Sequence, residues 1–139
     1  MTLFKSFFPL IIFLIITPSI SYAQESKGEL LDTTICIHPD KLAFYKGGEK
    51  AKLKFLKDNI VYPQIAKDQK RQGRVIAEAI VEKDGSLSNI NILRAVSPEC
   101  DNEVKRVIAL MPNWKPAVFQ GAVVRTKINI SVFFILPDN

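Results

Sequence analysis

One histidine in 139 residues, His38, and two cysteines, Cys36 and Cys100, leave this chain almost without the side chains that ligate metals or carry nucleophilic chemistry. Cys36 and His38 are close in sequence but lack companions at zinc spacing, so no metal site is expected. No nucleophile–base pairing is recognisable, and the carboxylates are scattered or placed at helix caps. The chain is therefore expected to be no enzyme and to carry no cofactor. Dense lysine or arginine runs and interleaved basic and aromatic residues are missing, which excludes the usual pattern of a nucleic-acid binder. The formal net charge of +5 favours acidic surfaces in general and says nothing about fold.

Residues 1–23 hold Lys5, then an apolar run over 7–16, then Thr17-Pro18-Ser19-Ile20-Ser21-Tyr22-Ala23. Ser21 and Ala23 at the −3 and −1 positions predict a signal peptide cleaved before Gln24. The apolar run falls short of the roughly 20 residues that a bilayer crossing needs; an uncleaved anchor is the alternative. No cysteine sits just after the cleavage site, so lipid anchoring is not supported. Residues 24–44 read as a flexible tail, with a β-branched stretch over 33–37 able to add a short edge strand. Residues 45–139 read as the folded domain. An even cysteine count in an exported chain admits a Cys36–Cys100 disulfide, closing a loop of about 65 residues for roughly 4 kcal/mol in the chain-entropy model. The alternative is that both thiols are small buried hydrophobes.

The folded part is organised around a hairpin. Val75, Ala77, Ala79 and Val81 share one parity while Glu78 and Glu82 share the other, the period of a strand with one face in a core. Lys83-Asp84-Gly85-Ser86 supplies an Asp-Gly turn, and a second strand follows around Ile90 and Ile92. Ahead of the hairpin, Leu53, Leu56 and Ile60 fall at i, i+3 and i+7, predicting an amphipathic helix over 49–58 with a lysine-rich outer face. Pro63 starts a short helix over 63–70. After the hairpin, Val104, Val107, Ile108 and Met111 predict a helix over 101–111 with Asp101 as N-cap. Trp114 is expected to plug the core. The last strand is expected over 123–136: Val124, Thr126, Ile128, Ile130, Val132, Phe134 and Leu136 alternate with Arg125, Lys127, Asn129 and Ser131, and the second face turns apolar at Phe133 and Ile135. The economical solution is an α+β domain, a small three-stranded antiparallel sheet with helices packed on one face. Its long last strand can accept another strand.

Several motifs in this order carry a resemblance. Tyr62-Pro63, Ile65-Ala66-Lys67, Gly73-Arg74-Val75, Val81 to Ser86, the helix over 101–111 and Met111-Pro112-Asn113-Trp114-Lys115-Pro116 stand at the spacing of the TonB C-terminal domain family. Gly47-Gly48-Glu49 through Asn59 resembles the version typical of short Bacteroidetes-type members. The resemblance covers about residues 45–136. It implies a periplasmic domain that binds a short N-terminal peptide of outer-membrane TonB-dependent receptors by strand addition beside the last strand, passing on force from an inner-membrane proton-driven motor. Carried over by position, the partner-binding residues are Val123, Arg125, Lys127, Asn129, Ser131 and Phe133, with Tyr62 and Pro63 nearby. The same edge would also admit a homodimer.

Three departures shape the expectation. The first segment reads as a cleavable signal where an energy transducer has a membrane helix. The span from Gln24 to Tyr45 contains one proline, Pro39, where the family has a long proline-rich spacer, and Ala117 stands where glycine is usual. The expected function is thus a periplasmic TonB-like binding domain linked to energy-dependent transport. The alternatives are a minimal membrane-anchored transducer and an exported interaction module unrelated to transport.

Overall fold

Alternation along Gly73–Val81 puts Val75, Ala77, Ala79 and Val81 on one face, and in the computed structural model all four are fully buried. The structure describes residues 34–137; the expected signal peptide, cleavage site and alternative anchor, and the tail up to residue 33, lie outside the described residues. This strand, β1, is the centre of a three-stranded antiparallel sheet ordered β2–β1–β5, with β2 at Leu87–Arg94 and β5 at Thr126–Phe134. The register with β5 is unbroken from Gly73↔Phe134 to Val81↔Thr126. The register with β2 shifts twice, between Ile76 and Ala77 and between Glu78 and Ile80. The expected α+β fold, with a small antiparallel sheet and helices, is what forms.

The turn between β1 and β2 uses the expected Asp-Gly pair. Asp84 Oδ1 accepts from the Ser86 N–H at 2.8 Å and the Ser86 hydroxyl at 2.6 Å. Gly85 sits at φ 87°, and a Cβ there would lie 2.1 Å from the Trp114 carbonyl oxygen. Trp114 in turn donates its N–H to the Gly85 carbonyl at 2.7 Å. The turn and the tryptophan loop are thus latched together, and Trp114 is buried as expected.

Helix α1 spans Gly48–Asn59, α2 Gln64–Asp68 and α3 Pro98–Ala109. In α3 the buried residues are Cys100, Val104, Val107 and Ile108, the expected i, i+3, i+4 face with Cys100 added one turn earlier. The cap differs from expectation. Ser97 is the N-cap, its hydroxyl accepting from the Cys100 N–H at 3.3 Å, and Pro98 is the first helical residue. Serine followed by proline combines a side-chain acceptor with a pre-set φ, and this pair wins over Asp101. Asp101 instead reaches back to the Val96 N–H at 3.0 Å. The link from α1 to α2 is clamped onto α3: Glu103 accepts from the Val61 N–H at 2.8 Å, and Arg106 donates to the Asn59 carbonyl at 2.9 Å.

The expected single strand over 123–136 is two strands. Ala117–Phe119 (β3) and Ala122–Val124 (β4) form a separate two-stranded ribbon, and the run restarts as β5 at Thr126. Gln120 and Gly121 at the ribbon's tip both have positive φ, 49° and 77°, the backbone of a tight hairpin turn whose twist matches its strands. Residues 34–44, assigned to a flexible tail from sequence, are held by three isolated bridges: Ile35 to Arg125 in parallel sense, and Lys41 to Val118 and Phe44 to Lys115 in antiparallel sense.

Candidate functional site

Strand β5 is an edge of the sheet, and its two faces are cleanly sorted. Thr126, Ile130, Val132 and Phe134 are buried with Ile128 packed against the core, while Lys127, Asn129, Ser131 and Phe133 point outward. The backbone sorts the same way. In an antiparallel strand, successive residues send their N–H and C=O groups to opposite neighbours. The Arg125 carbonyl accepts from the Cys36 N–H at 2.8 Å, on the side away from β1. The residues sharing its parity, Lys127, Asn129, Ser131 and Phe133, therefore aim their donors and acceptors at the free edge. Among the described residues the only pairing on that side is the single bridge at Arg125, after which the chain turns away.

The edge is not flat. Helix α1 stands off from β5 and leaves two hollows along it. One, about 310 Å³, lies between Phe44, Tyr45, Glu49 and Lys52 on one side and residues 126–129 on the other, with Trp114 at its base. The second, about 250 Å³, lies between Leu53, Leu56, Lys57 and Ile60 and residues 131–133. Leu53, expected on the core face of its helix, is 54% exposed, and Phe133 is 63% exposed. Only Leu56 of the expected stripe is fully inside, because the helix buries one line of contact and leaves the flanking apolar residue on the hollow.

Two ion pairs brace the strand from its outer face. Lys127 Nζ lies 3.1 Å from Glu78, and Arg125 forks onto Glu82 at 2.6 and 2.9 Å, with the Ser88 hydroxyl also donating to Glu82. The Arg125 hydrogen bond holds the Glu82 carboxyl below its ordinary value, against a smaller opposing effect of burial. A carboxyl more acidic in the folded than in the unfolded state stabilises the fold above its unfolded value of about 4.3 and loses that contribution as pH falls through the lowered folded value. The stability gap between wild type and Glu82→Gln, read by urea denaturation, is therefore expected in full at pH 7 and to shrink as pH falls below about 4.3 and on through the lowered folded value. A gap that does not shrink as the pH is lowered would show that Glu82 acts by packing rather than by charge.

Of the residues expected at the partner edge, Lys127, Asn129, Ser131 and Phe133 come together on β5. Val123 does not: it lies on β4, paired with Val118 in the separate ribbon. Arg125 is at the start of the edge with its carbonyl already occupied by Cys36 and its guanidinium engaged by Glu82. Tyr62 reaches the far end of the strand from below, its ring edge-on to Phe134 at 5.2 Å and its hydroxyl donating to the Arg71 carbonyl at 2.6 Å. Pro63 is the N-cap of α2. The sequence reading missed α1 as a wall of the site; the signal was present in Leu53, an apolar residue flanked by lysines, but only the fold shows what it faces.

The disulfide expectation is corrected. Cys36 and Cys100 are both free thiols. The Cys36 carbonyl accepts from the Thr126 hydroxyl at 3.1 Å, beside the Val81 end of β1. Cys100 follows Val96, which packs on Gly73 at the other end. Nine residues of strand separate those ends by on the order of 25 Å, whereas a bridge needs Cα atoms within about 7 Å. Among the described residues no group of histidine, cysteine and carboxylate side chains could hold a metal ion, and no helix is long and apolar enough to cross a membrane.

A family model described as Gram-negative bacterial TonB protein C-terminal matches residues 58–136, more than half of the chain. Among solved structures, the chain is similar to the TonB C-terminal domain of Pseudomonas aeruginosa, at 27% identity over 58% of this chain and 81% of that one, with a TM-score of 0.46. It is also similar to a Helicobacter pylori TonB C-terminal domain, at 15% identity over 63% of this chain and 78% of that one, TM-score 0.46. A shorter form of that domain matches at 16% identity over 65% of this chain and 95% of that one, TM-score 0.44. No curated protein matches the chain.

Proposed function

Because the chain belongs to the family of Gram-negative bacterial TonB protein C-terminal domains, we propose that it is a periplasmic binding domain that takes the N-terminal peptide of an outer-membrane TonB-dependent receptor as an added strand on β5. The family serves energy-dependent transport across the outer membrane, and its domains are interaction modules rather than enzymes. One observation supports the strand-addition reading: four consecutive edge positions, Lys127, Asn129, Ser131 and Phe133, carry backbone groups that β1 does not use. An extended peptide satisfies such a row with main-chain hydrogen bonds, so its affinity depends little on side chains.

That dependence on backbone is testable with proline, which removes one N–H donor. Asn129→Pro takes the donor from the open side and leaves the β1 ladder intact. It is expected to keep a folded circular dichroism spectrum and cooperative unfolding, and to abolish binding of a synthetic receptor N-terminal peptide in calorimetric titration. Ile130→Pro, whose N–H faces β1, is expected to unfold the domain. A folded Asn129→Pro variant that binds like wild type would sink the reading.

Coupling to a proton-driven motor in the inner membrane requires an anchor ahead of the described residues. The mass and fractionation of the protein from its own cell envelope separate the two forms. A soluble periplasmic species of residues 24–139 is expected, acting as a free adaptor for receptor peptides. Full-length protein in the inner membrane would instead make it a transducer.

A further inference from the structure

All but the last two residues of α1 precede the region that the family model matches, yet α1 forms one wall of the trough beside β5. Its Leu53, Leu56 and Lys57, with Ile60 at its C-cap, face Ser131, Val132 and Phe133 across a hollow of about 250 Å³. The carboxylates of α1 and β1 are already engaged. Glu49 pairs with Lys52 at 2.7 Å, Asp58 with Lys54 at 2.5 Å, and Glu78 with Lys127 at 3.1 Å. Lys57, which lines this hollow, has no carboxylate partner among the described residues. The trough therefore combines an apolar lining with surplus positive charge.

We propose that the β5–α1 trough selects an extended peptide bearing a carboxylate on its α1-facing side chain, which Lys57 reads. This rests on the strand-addition reading above. A strand laid against β5 alternates its side chains as β5 does. The peptide residue beside Val132 points to the helix side, where Leu53 and Ile60 offer an apolar seat and Lys57 a cation at the rim. A glutamate fits both, its methylenes on the leucine and isoleucine and its carboxylate on the lysine. The peptide residues on either side point to the outer face, where the exposed Phe133 ring favours apolar side chains. The preferred ligand is thus acidic on the helix side and apolar on the outer side, and Lys57, the residue that reads the carboxylate, lies just ahead of the family match.

The test uses two seven-residue peptides, apolar and β-branched at alternate positions, identical except for a central glutamate or glutamine. Each is titrated into the full chain and into its Lys57→Gln and Asn129→Pro variants at low salt. An exposed ion pair is worth about 2- to 5-fold in affinity, and salt weakens it. Wild type is expected to prefer the glutamate peptide by about that factor, with the preference shrinking at 0.5 M salt. Lys57→Gln is expected to bind both peptides equally, as tightly as wild type binds the glutamine one, and Asn129→Pro to bind neither. Equal affinity of wild type for the two peptides, or a preference that survives Lys57→Gln, would overturn the acidic selection while leaving strand addition standing. Failure of wild type to bind either peptide, or full binding by Asn129→Pro, would overturn strand addition itself. Lys57-dependent binding to vesicles of anionic phospholipid with no glutamate preference would reassign the cationic rim to a lipid surface.

Discussion

Phe134→Ala is expected to cost about 3–5 kcal/mol, measured as the shift in a urea unfolding curve. Phe134 closes the core at the end of β5, 1% exposed, opposite Gly73 and edge-on to Tyr62. Glycine opposite leaves the ring room on the sheet, and removing the ring leaves a hole that no neighbouring side chain of β1 can fill. Domains of this size hold about 5–15 kcal/mol in total, so the variant approaches marginal stability, with a fall in melting temperature of about 15 °C or more. Tyr62 loses its stacking partner in the same step. Burial keeps the Tyr62 hydroxyl above its ordinary value, and its titration is expected to move back toward that of free tyrosine in any folded remnant. A cost below about 1 kcal/mol would contradict the packing described for this end of the sheet.

The second large effect is expected at Gly85→Ala, about 2–4 kcal/mol. One part is the positive φ, which a β-carbon makes costly. The other is the approach of the Trp114 carbonyl, which must retreat from 2.1 Å and pull the Trp114 N–H away from the Gly85 carbonyl. Gly121→Ala is the control. It has a similar φ of 77° but open space around it, so only the backbone part, about 1–2 kcal/mol, is expected there. Loss of near-ultraviolet ellipticity from Trp114 should accompany the first substitution and not the second. Equal costs at the two sites would mean that the latch between turn and tryptophan loop contributes nothing.

The hairpin and α3 were legible because burial there follows one period over many residues. Val75, Ala77, Ala79 and Val81 have no competing pattern, and Asp84-Gly85 marks the reversal by chemistry that few other dipeptides supply. The ribbon of β3 and β4 was not legible. Its strands have three residues each and show no alternating burial, so Val123 and Val124 looked continuous in period with Thr126 and beyond. Gln120-Gly121 is a weaker turn signal than Asn-Gly. The start of α3 was misplaced for a different reason, two plausible caps four residues apart, with the serine before proline taking the role. For the site, alternation alone identified Lys127, Asn129, Ser131 and Phe133 as one face of the last strand. That Val123 sits elsewhere and that α1 walls the edge depend on where the chain folds back, information carried by contacts between Phe44 and Lys115 or Glu103 and Val61. Such pairs, distant in sequence, leave no local pattern.

The unequal registers on the two sides of β1 have a mechanical consequence. Tension applied along β5, as by a partner strand being drawn from its end, loads every rung of the unbroken ladder to β1 at once. Bonds strained together in shear yield only when many fail simultaneously, whereas bonds peeled from one end fail singly. The β2 side, with its two register shifts, would part more readily under the same pull. The sheet is thus built so that its stiff seam lies next to the edge a partner would grip, and its compliant seam lies on the far side of the central strand.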